Sequence, residues 1–348
     1  MKTETEKLRG IMIKNLDRLI DKDQVKIPAA DDCGAFGTSR GFESSQLISG
    51  LLTHHKTCGE NKYLDAAKLC ADWYVKKQIH KPGHVIDGAW VTPGYGNNII
   101  FPEVIEILGG IFDIYESTGD KRYRKCIERG YACFQRAKIR DAGRWGNQAL
   151  LSRIHMDYDL KKRRLSKCLH RAIDDGIDYR YYKMTGDNEA LKEFRKICDA
   201  QMLVQSQDGG FYETYYSSHH DVLMVCGARW SLYWAARPFL YAYDEFSEEK
   251  YLQVVAKSCR WLAEHQNKDG SYHAWYYPNG NIAHNSIDPC SPAAAIFLWA
   301  EFEKRAGKKT FRRNLKMAME RLIAIKNHGV RSTAFLVQAY YSIKGTMR

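Results

Sequence analysis

The stretch Thr118-Gly119-Asp120-Lys121-Arg122-Tyr123 is a tight turn that opens a helix, whose apolar face continues through Ile127, Gly130 and Phe134 in steps of 4, 3 and 4 residues. Such spacing places one stripe along a helix for burial. The same pairing of a short turn with an aromatic or small residue four positions later recurs at Gly59/Tyr63, Gly186/Ala190, Ser247/Tyr251 and Gly307/Phe311. The anchors are therefore 60, 67, 61 and 60 residues apart. A period kept over the whole chain is the mark of a repeat architecture. It predicts one domain over residues 1–348 rather than the two that length alone suggests.

Within each period a glutamine follows the helix (Gln78, Gln135, Gln205, Gln266), then a glycine-bearing loop, then a segment apolar nearly all round, such as Ala293 to Phe302 or Ala334 to Tyr341. A helix apolar on every side is enclosed by others. Six amphipathic segments (near 5–20, 61–78, 121–137, 188–205, 249–266 and 310–326) alternate with six apolar ones (near 43–56, 101–117, 165–184, 226–244, 290–305 and 331–344). The expected fold is all-α, an (α/α)6 toroid of six helical hairpins, with an open solenoid as the alternative.

The connections differ in length. Apolar helices pass to amphipathic ones through turns such as Thr185 to Asp187, whereas the return runs through long loops near 21–42, 79–100, 138–164, 206–225 and 267–289. Long structured loops in a compact domain are usually functional. These carry Asp87, Trp90 and Tyr95; Trp145; Tyr212, Tyr216, His219, His220 and Asp221; and His273, Trp275 and Asp288, with Arg229 just beyond. Asp87, Asp221 and Asp288 each precede an apolar helix, where an aspartate either caps the helix or faces a cavity as an acid. The start of the second apolar helix shows no comparable acidic motif; Asn97 and Asn98 stand there instead. Asp208 and Asp269, each before a glycine, read as turn residues. Asp174, Asp175 and Asp178 have a spacing that could hold magnesium, but with no second metal motif they read as partners of Arg171 or Arg180.

The chain has 348 residues, 45% hydrophobic and 27% charged, with 53 Lys plus Arg against 41 Asp plus Glu, a net charge of +12. That balance favours an anionic partner. Tyrosines number 22 and tryptophans 8, and in loops such rings stack on sugar or base faces. Aromatic basic loops also describe single-strand nucleic-acid binders, yet no nucleic-acid module is recognisable, and no nucleic-acid partner is expected. A charged N-terminal stretch and the lack of a long apolar run predict a cytoplasmic protein without a membrane partner. Ten dispersed cysteines, with no Cys-x-x-Cys, read for the most part as reduced and buried, and neither a metal nor another cofactor is implied.

Two segments carry a family resemblance. Gln266-Asn267-Lys268-Asp269-Gly270-Ser271-Tyr272, followed by Ile287-Asp288-Pro289-Cys290-Ser291 and the alanine-rich run from Ala293, resembles the late repeat of the six-hairpin glycosidases, closest to the unsaturated uronyl hydrolases. The Thr-Gly-Asp-Lys turn is similar too. His219-His220-Asp221 before an apolar segment resembles their acid-bearing motif. The resemblance implies acid/base catalysis on an acidic, uronate-containing oligosaccharide, led by Asp221, with Asp87 or Asp288 as partner and His219 or His220 polarising the substrate. Trp90, Tyr95, Trp145, Tyr212, Tyr216, Arg229, His273 and Trp275 are the expected substrate contacts. A uronate lyase or epimerase using His or Tyr, and a non-catalytic scaffold, are the alternatives. The sequence leaves the oligomeric state open.

Overall fold

The computed structural model describes residues 2–21, 41–91, 99, 101–137, 154–159, 161, 163–171, 176–216 and 222–346. Twelve α-helices lie among them: α1 (Lys2–Ile20), α2 (Gly41–Cys58), α3 (Asn61–Lys77), α4 (Phe101–Thr118), α5 (Lys121–Ala137), α6 (Ile177–Thr185), α7 (Asn188–Met202), α8 (Trp234–Phe246), α9 (Glu249–Glu264), α10 (Ser291–Ala306), α11 (Arg312–Ala324) and α12 (Val330–Thr346). A π-helical stretch, Ala228–Tyr233, leads directly into α8. Odd-numbered helices are the amphipathic series and even-numbered ones the more buried series, in the order that the period predicts, except that α6 is buried only at Ile177 and Asp178.

The remaining regular structure is three two-stranded antiparallel hairpins: β1 (Ile154–Asp159) with β2 (Arg164–Arg171), β3 (Glu213–Tyr216) with β4 (Val222–Val225), and β5 (His273–Tyr276) with β6 (Ile282–Ile287). The expectation of a helix over 165–184 is corrected here. Its first part is β2, and the helix begins only at Ile177, after the left-handed Gly176 at φ 72°.

Contacts divide the chain into two compact units. One comprises Met1–Ile13, Lys192–His328 and Phe335–Arg348; the other comprises Lys14–Leu191 and Gly329–Ala334. The same two devices join successive repeats inside each. The first is a clamp at the turn. The anchor tyrosine donates to an aspartate of the preceding amphipathic helix, Tyr63 to Asp17 (2.7 Å), Tyr123 to Asp72 (2.8 Å) and Tyr251 to Asp199 (2.9 Å). A cation one residue earlier reaches the same carboxylate, Lys62 at 2.8 Å, Arg122 at 3.4 Å and Lys250 at 2.9 Å. Burial, then the neighbouring carboxylate, pushes all three phenols well above their ordinary value, so they remain donors.

The second device uses the recurring glutamine and glycine. The Gln78 amide donates to Gly88 O and Cys126 O, both at 2.9 Å; that of Gln205 to Gly209 O (3.2 Å) and Val254 O (2.9 Å); that of Gln266 to Asn314 O (3.1 Å). The loop glycines lie against the same next helix three residues further on. A Cβ at Gly88, Gly209 or Gly270 would sit 2.2, 2.3 or 2.1 Å from the carbonyl oxygen of Arg129, Lys257 or Met317. All three have positive φ, so glycine is demanded twice over. The repeated motif thus fastens each loop to the next repeat.

Cys70, Cys126, Cys133, Cys198, Cys226, Cys259 and Cys290 are buried free thiols and Cys58 is exposed. Burial pushes Cys126 and Cys133 up to about 12. Among the described residues no helix is long and apolar enough to cross a membrane.

Candidate functional site

In the unit containing Lys192–His328, the loops after α7 and α9 form two linked hairpins. The register Glu213↔Val225 to Tyr216↔Val222 makes residues 217–221 the connection between β3 and β4. Strand β4 runs into Cys226, which exchanges backbone hydrogen bonds of 2.9 Å with Tyr276 at the end of β5. Gly227 follows. A Cβ there would meet Ala274 O at 2.4 Å and the Trp275 ring at 3.2 Å, so the missing side chain lets the indole lie on the backbone.

Beneath the link is a buried ion pair. Arg229, in the π-helical stretch, places Nε 3.0 Å from Asp288 Oδ2 and Nη2 3.2 Å from Oδ1, and Ser291 at the start of α10 donates to Oδ2 at 2.5 Å. Side-chain exposure is 4% for Arg229 and 7% for Asp288. Burying either charge alone would be costly, whereas a two-pronged guanidinium and a hydroxyl occupy both carboxylate oxygens. Asp288 is thereby a fixed acceptor that joins the π-helical stretch to the start of α10.

Around this pair the hairpins carry imidazoles and rings. His273 is half-buried with Nδ1 3.4 Å from Asn285 O, and exposed His284 has Nδ1 2.8 Å from Ser286 Oγ. Buried Tyr276 donates to His265 O at 3.1 Å and accepts the His273 N–H at 3.0 Å. Tyr212 donates to Asp208 at 2.6 Å and accepts from Trp261 Nε1 at 3.3 Å. Burial opposes the charge of Asp208, yet the Ser206 and Tyr212 hydroxyls and the Gly210 N–H outweigh it and hold its carboxyl below the ordinary value. Asp269 accepts the Ser271 N–H and hydroxyl at 3.0 and 2.6 Å and pairs with Arg321 at 3.2 Å. Both aspartates do turn work.

In the other unit, Asp87 closes its own loop by accepting the Lys81 N–H at 2.7 Å, with His80 at 3.5 Å. Trp90 is 3% exposed; its ring meets the Tyr74 ring edge to face, and Nε1 donates to Tyr74 O at 2.8 Å. Asp178 is buried and accepts from Tyr131 at 2.6 Å and Gln135 at 2.8 Å. Arg180 reaches Asp113 (2.6 Å) and Glu116 (2.9 Å) on α4. The aspartate is thus held by α5, and the arginine joins α6 to α4. Among the described residues no group of three or more His, Cys, Asp or Glu could hold a metal ion.

No protein-family model and no curated protein matches the sequence. Solved structures match along almost its full length. A sugar epimerase from a ruminal bacterium has a TM-score of 0.68 at 12% identity, covering 97% of this chain and 99% of that one. D-mannose isomerase gives 0.69 at 13%, covering 99% and 97%. An unsaturated glucuronyl hydrolase specific for heparin gives 0.64 at 13%, covering 99% and 97%. The chain has the six-hairpin glycosidase fold. The all-α class expected from the sixty-residue period is the observed one.

Within this six-hairpin glycosidase fold, His273 and Trp275 lie on the linked hairpins, Arg229 and Asp288 pair just beyond the strands, and Tyr212 lies on the loop after α7. The Tyr216 backbone pairs with Val222. Tyr95, Trp145, His219, His220 and Asp221 lie outside the described residues. Asp87 and Trp90 belong to the other unit. Sequence reasoning passed over Glu43 and Glu103, in the first turns of α2 and α4, and Glu106, one turn further along α4. The available signal was charge inside segments otherwise apolar nearly all round.

Proposed function

We propose that the chain is a carbohydrate-active enzyme that acts on an acidic, uronate-containing oligosaccharide by acid/base catalysis, as a glycoside hydrolase with Asp221 as its leading proton-transferring carboxylate. The observation that carries this reading is the pair of hairpins joined at Cys226 and Tyr276, with the Trp275 ring against Gly227 and the buried Arg229–Asp288 pair directly after the join. Glycoside cleavage needs a group that protonates the leaving oxygen and a rigid frame to aim it. His219 and His220 polarise the substrate in this reading, and Trp275 stacks on a ring. Asp288, bound on both oxygens, orients the frame. The net charge of +12 draws in a uronate.

Epimerisation or isomerisation is the second reading. It is favoured because Asp208, Asp269 and Asp288 are each engaged by neighbouring donors, while the imidazoles of His273 and His284 stand on the β5–β6 hairpin, His284 exposed. Two of the similar structures are an epimerase and an isomerase. Incubation with a panel of unsaturated and saturated uronides, followed in the ultraviolet, separates the chemistries. A hydrolase removes the absorbance of an unsaturated uronide and a lyase creates it. An epimerase leaves it unchanged while carbon-bound deuterium enters from heavy water. Asp221→Asn is expected to slow hydrolysis on the order of a hundredfold or more with the fold kept; a near-wild-type rate overturns its role.

A further inference from the structure

At four of the five anchors an acid follows the turn residue directly: Glu60, Asp120, Asp187 and Glu248. Three of these acids also bind the clamp cation, Lys62 at 3.1 Å, Arg122 at 2.8 Å and Lys250 at 2.8 Å. The fifth anchor, between α10 and α11, inverts the pattern. Lys308 stands where the acid is elsewhere, Thr310 replaces the clamp cation and Phe311 the tyrosine. The aspartate of the preceding amphipathic helix is inverted as well. Asn314 of α11 donates to Ala263 O of α9 at 3.3 Å, so three residues back on each helix Arg260 stands beside Phe311. Their separation, 311 − 260 = 51, is that of Asp72 and Tyr123 in the clamp.

This joint is held from within instead. Buried Glu303 accepts the Phe311 N–H at 2.7 Å, and buried Trp299 stacks on the Phe311 ring at 5.8 Å while donating to Cys259 O at 3.0 Å. Its outer side is left to cations. Arg260, Lys308, Lys309 and Arg313 are all exposed and, among the described residues, make no ion pair. Within four residues of any of them the only acid is Glu264. In the joint of α1 and α3 the corresponding places belong to Asp17 and Asp65, which line one groove. Like charges gathered without a counter-charge repel one another, and packing does not require these four. A partner with several negative charges in a row supplies what is missing. The rings of α9, Tyr251 and Trp261, are buried, as is Phe311, so the joint lacks the exposed stacking platform that single-stranded nucleic acids use. A linear acidic polysaccharide, with charges repeated along the chain, needs no such platform.

We propose that Arg260, Lys308, Lys309 and Arg313 form a surface that binds an acidic polysaccharide chain, through residues that belong to neither hairpin of the candidate site. The proposal rests on the reading of the ligand as an acidic carbohydrate, and deepens it by giving the polymer a place of its own. Calorimetric titration of the full chain with polygalacturonate, with neutral dextran and with single-stranded and duplex DNA tests it apart from turnover. The wild type binds polygalacturonate and not dextran, with an affinity that falls as salt rises. Replacing all four cations together, Arg260→Gln, Lys308→Gln, Lys309→Gln and Arg313→Gln, weakens that binding about tenfold or more, the combined size of several exposed ion pairs, with an unchanged melting temperature. A control with Lys56→Gln, Lys76→Gln, Lys121→Gln and Lys125→Gln removes the same charge from the other unit and binds as wild type. Arg260→Asp with Lys308→Glu, which gives back the acids of the other joints, abolishes binding. Wild-type affinity in the first variant, an equal loss in the control, tighter binding of either DNA than of polygalacturonate, or no binding by the wild type overturns the proposal. Binding that depends on the four cations without turnover of any uronide leaves it standing and removes the hydrolase reading; turnover of a short unsaturated uronide by a wild type that does not bind polygalacturonate does the reverse.

Discussion

The buried Arg229–Asp288 pair shows what a single residue contributes here. Removing one partner strands the other charge, so Asp288→Asn or Arg229→Met is expected to cost about 3–5 kcal/mol in urea denaturation, while replacing both with apolar side chains costs far less. An unchanged midpoint for Asp288→Asn would refute the role given to the pair. Asp269 supplies a pH test. The Ser271 hydroxyl is the largest cause holding its carboxyl below the ordinary value. A carboxyl lowered on folding stabilises the protein above its unfolded pKa of about 3.9, and that contribution is lost as pH falls through the folded value. Asp269→Asn should therefore flatten the decline in melting temperature below about pH 4. The turn roles of Asp208 and Asp269 were legible from the glycine after each. The locking of Asp288 was not, because its partner lies 59 residues away and only folding brings them together.

At the scale of elements, the loop glycines separate two demands that sequence alone cannot. Gly119 and Gly270 both have positive φ, 68° and 80°, but a Cβ at Gly119 meets nothing within 4 Å whereas one at Gly270 meets Met317 O at 2.1 Å. Gly119→Ala is expected to cost about 1 kcal/mol from backbone strain alone. Gly270→Ala should cost at least about 2 kcal/mol more, since the loop must leave α11; equal losses in thermal unfolding would contradict the close approach. Helix positions were readable to within a few residues where a strong apolar period existed, as over 121–137. The stretch 165–171 was misread because its apolar residues Leu165, Cys168 and Leu169 stand three and four apart, a spacing that fits a helix, whereas the structure pairs the segment as a strand with Ile154–Asp159.

For the whole molecule, three of the four boundaries between the two units fall inside α1, α7 and α12, and only the one after His328 lies in a connection between helices. One cooperative transition in calorimetry is therefore expected, and limited proteolysis should release no stable half; two separated transitions would show independent domains. The amino-acid sequence by itself determined the alternation of amphipathic and apolar segments, the turn-and-anchor and glutamine–glycine motifs that recur about every sixty residues, and the all-α class, because each depends on the order of apolar and turn residues over distances that a helix or a turn spans. Only the tertiary structure decided which acids are occupied by structural partners and which polar atoms are left wanting. Asp288 met Arg229, Asp178 met Tyr131, and Gln46 met Glu106 with its own oxygen unsatisfied. Those outcomes depend on hydrogen-bond geometry between helices and loops far apart in the chain, where a fraction of an ångström separates a bond from a void.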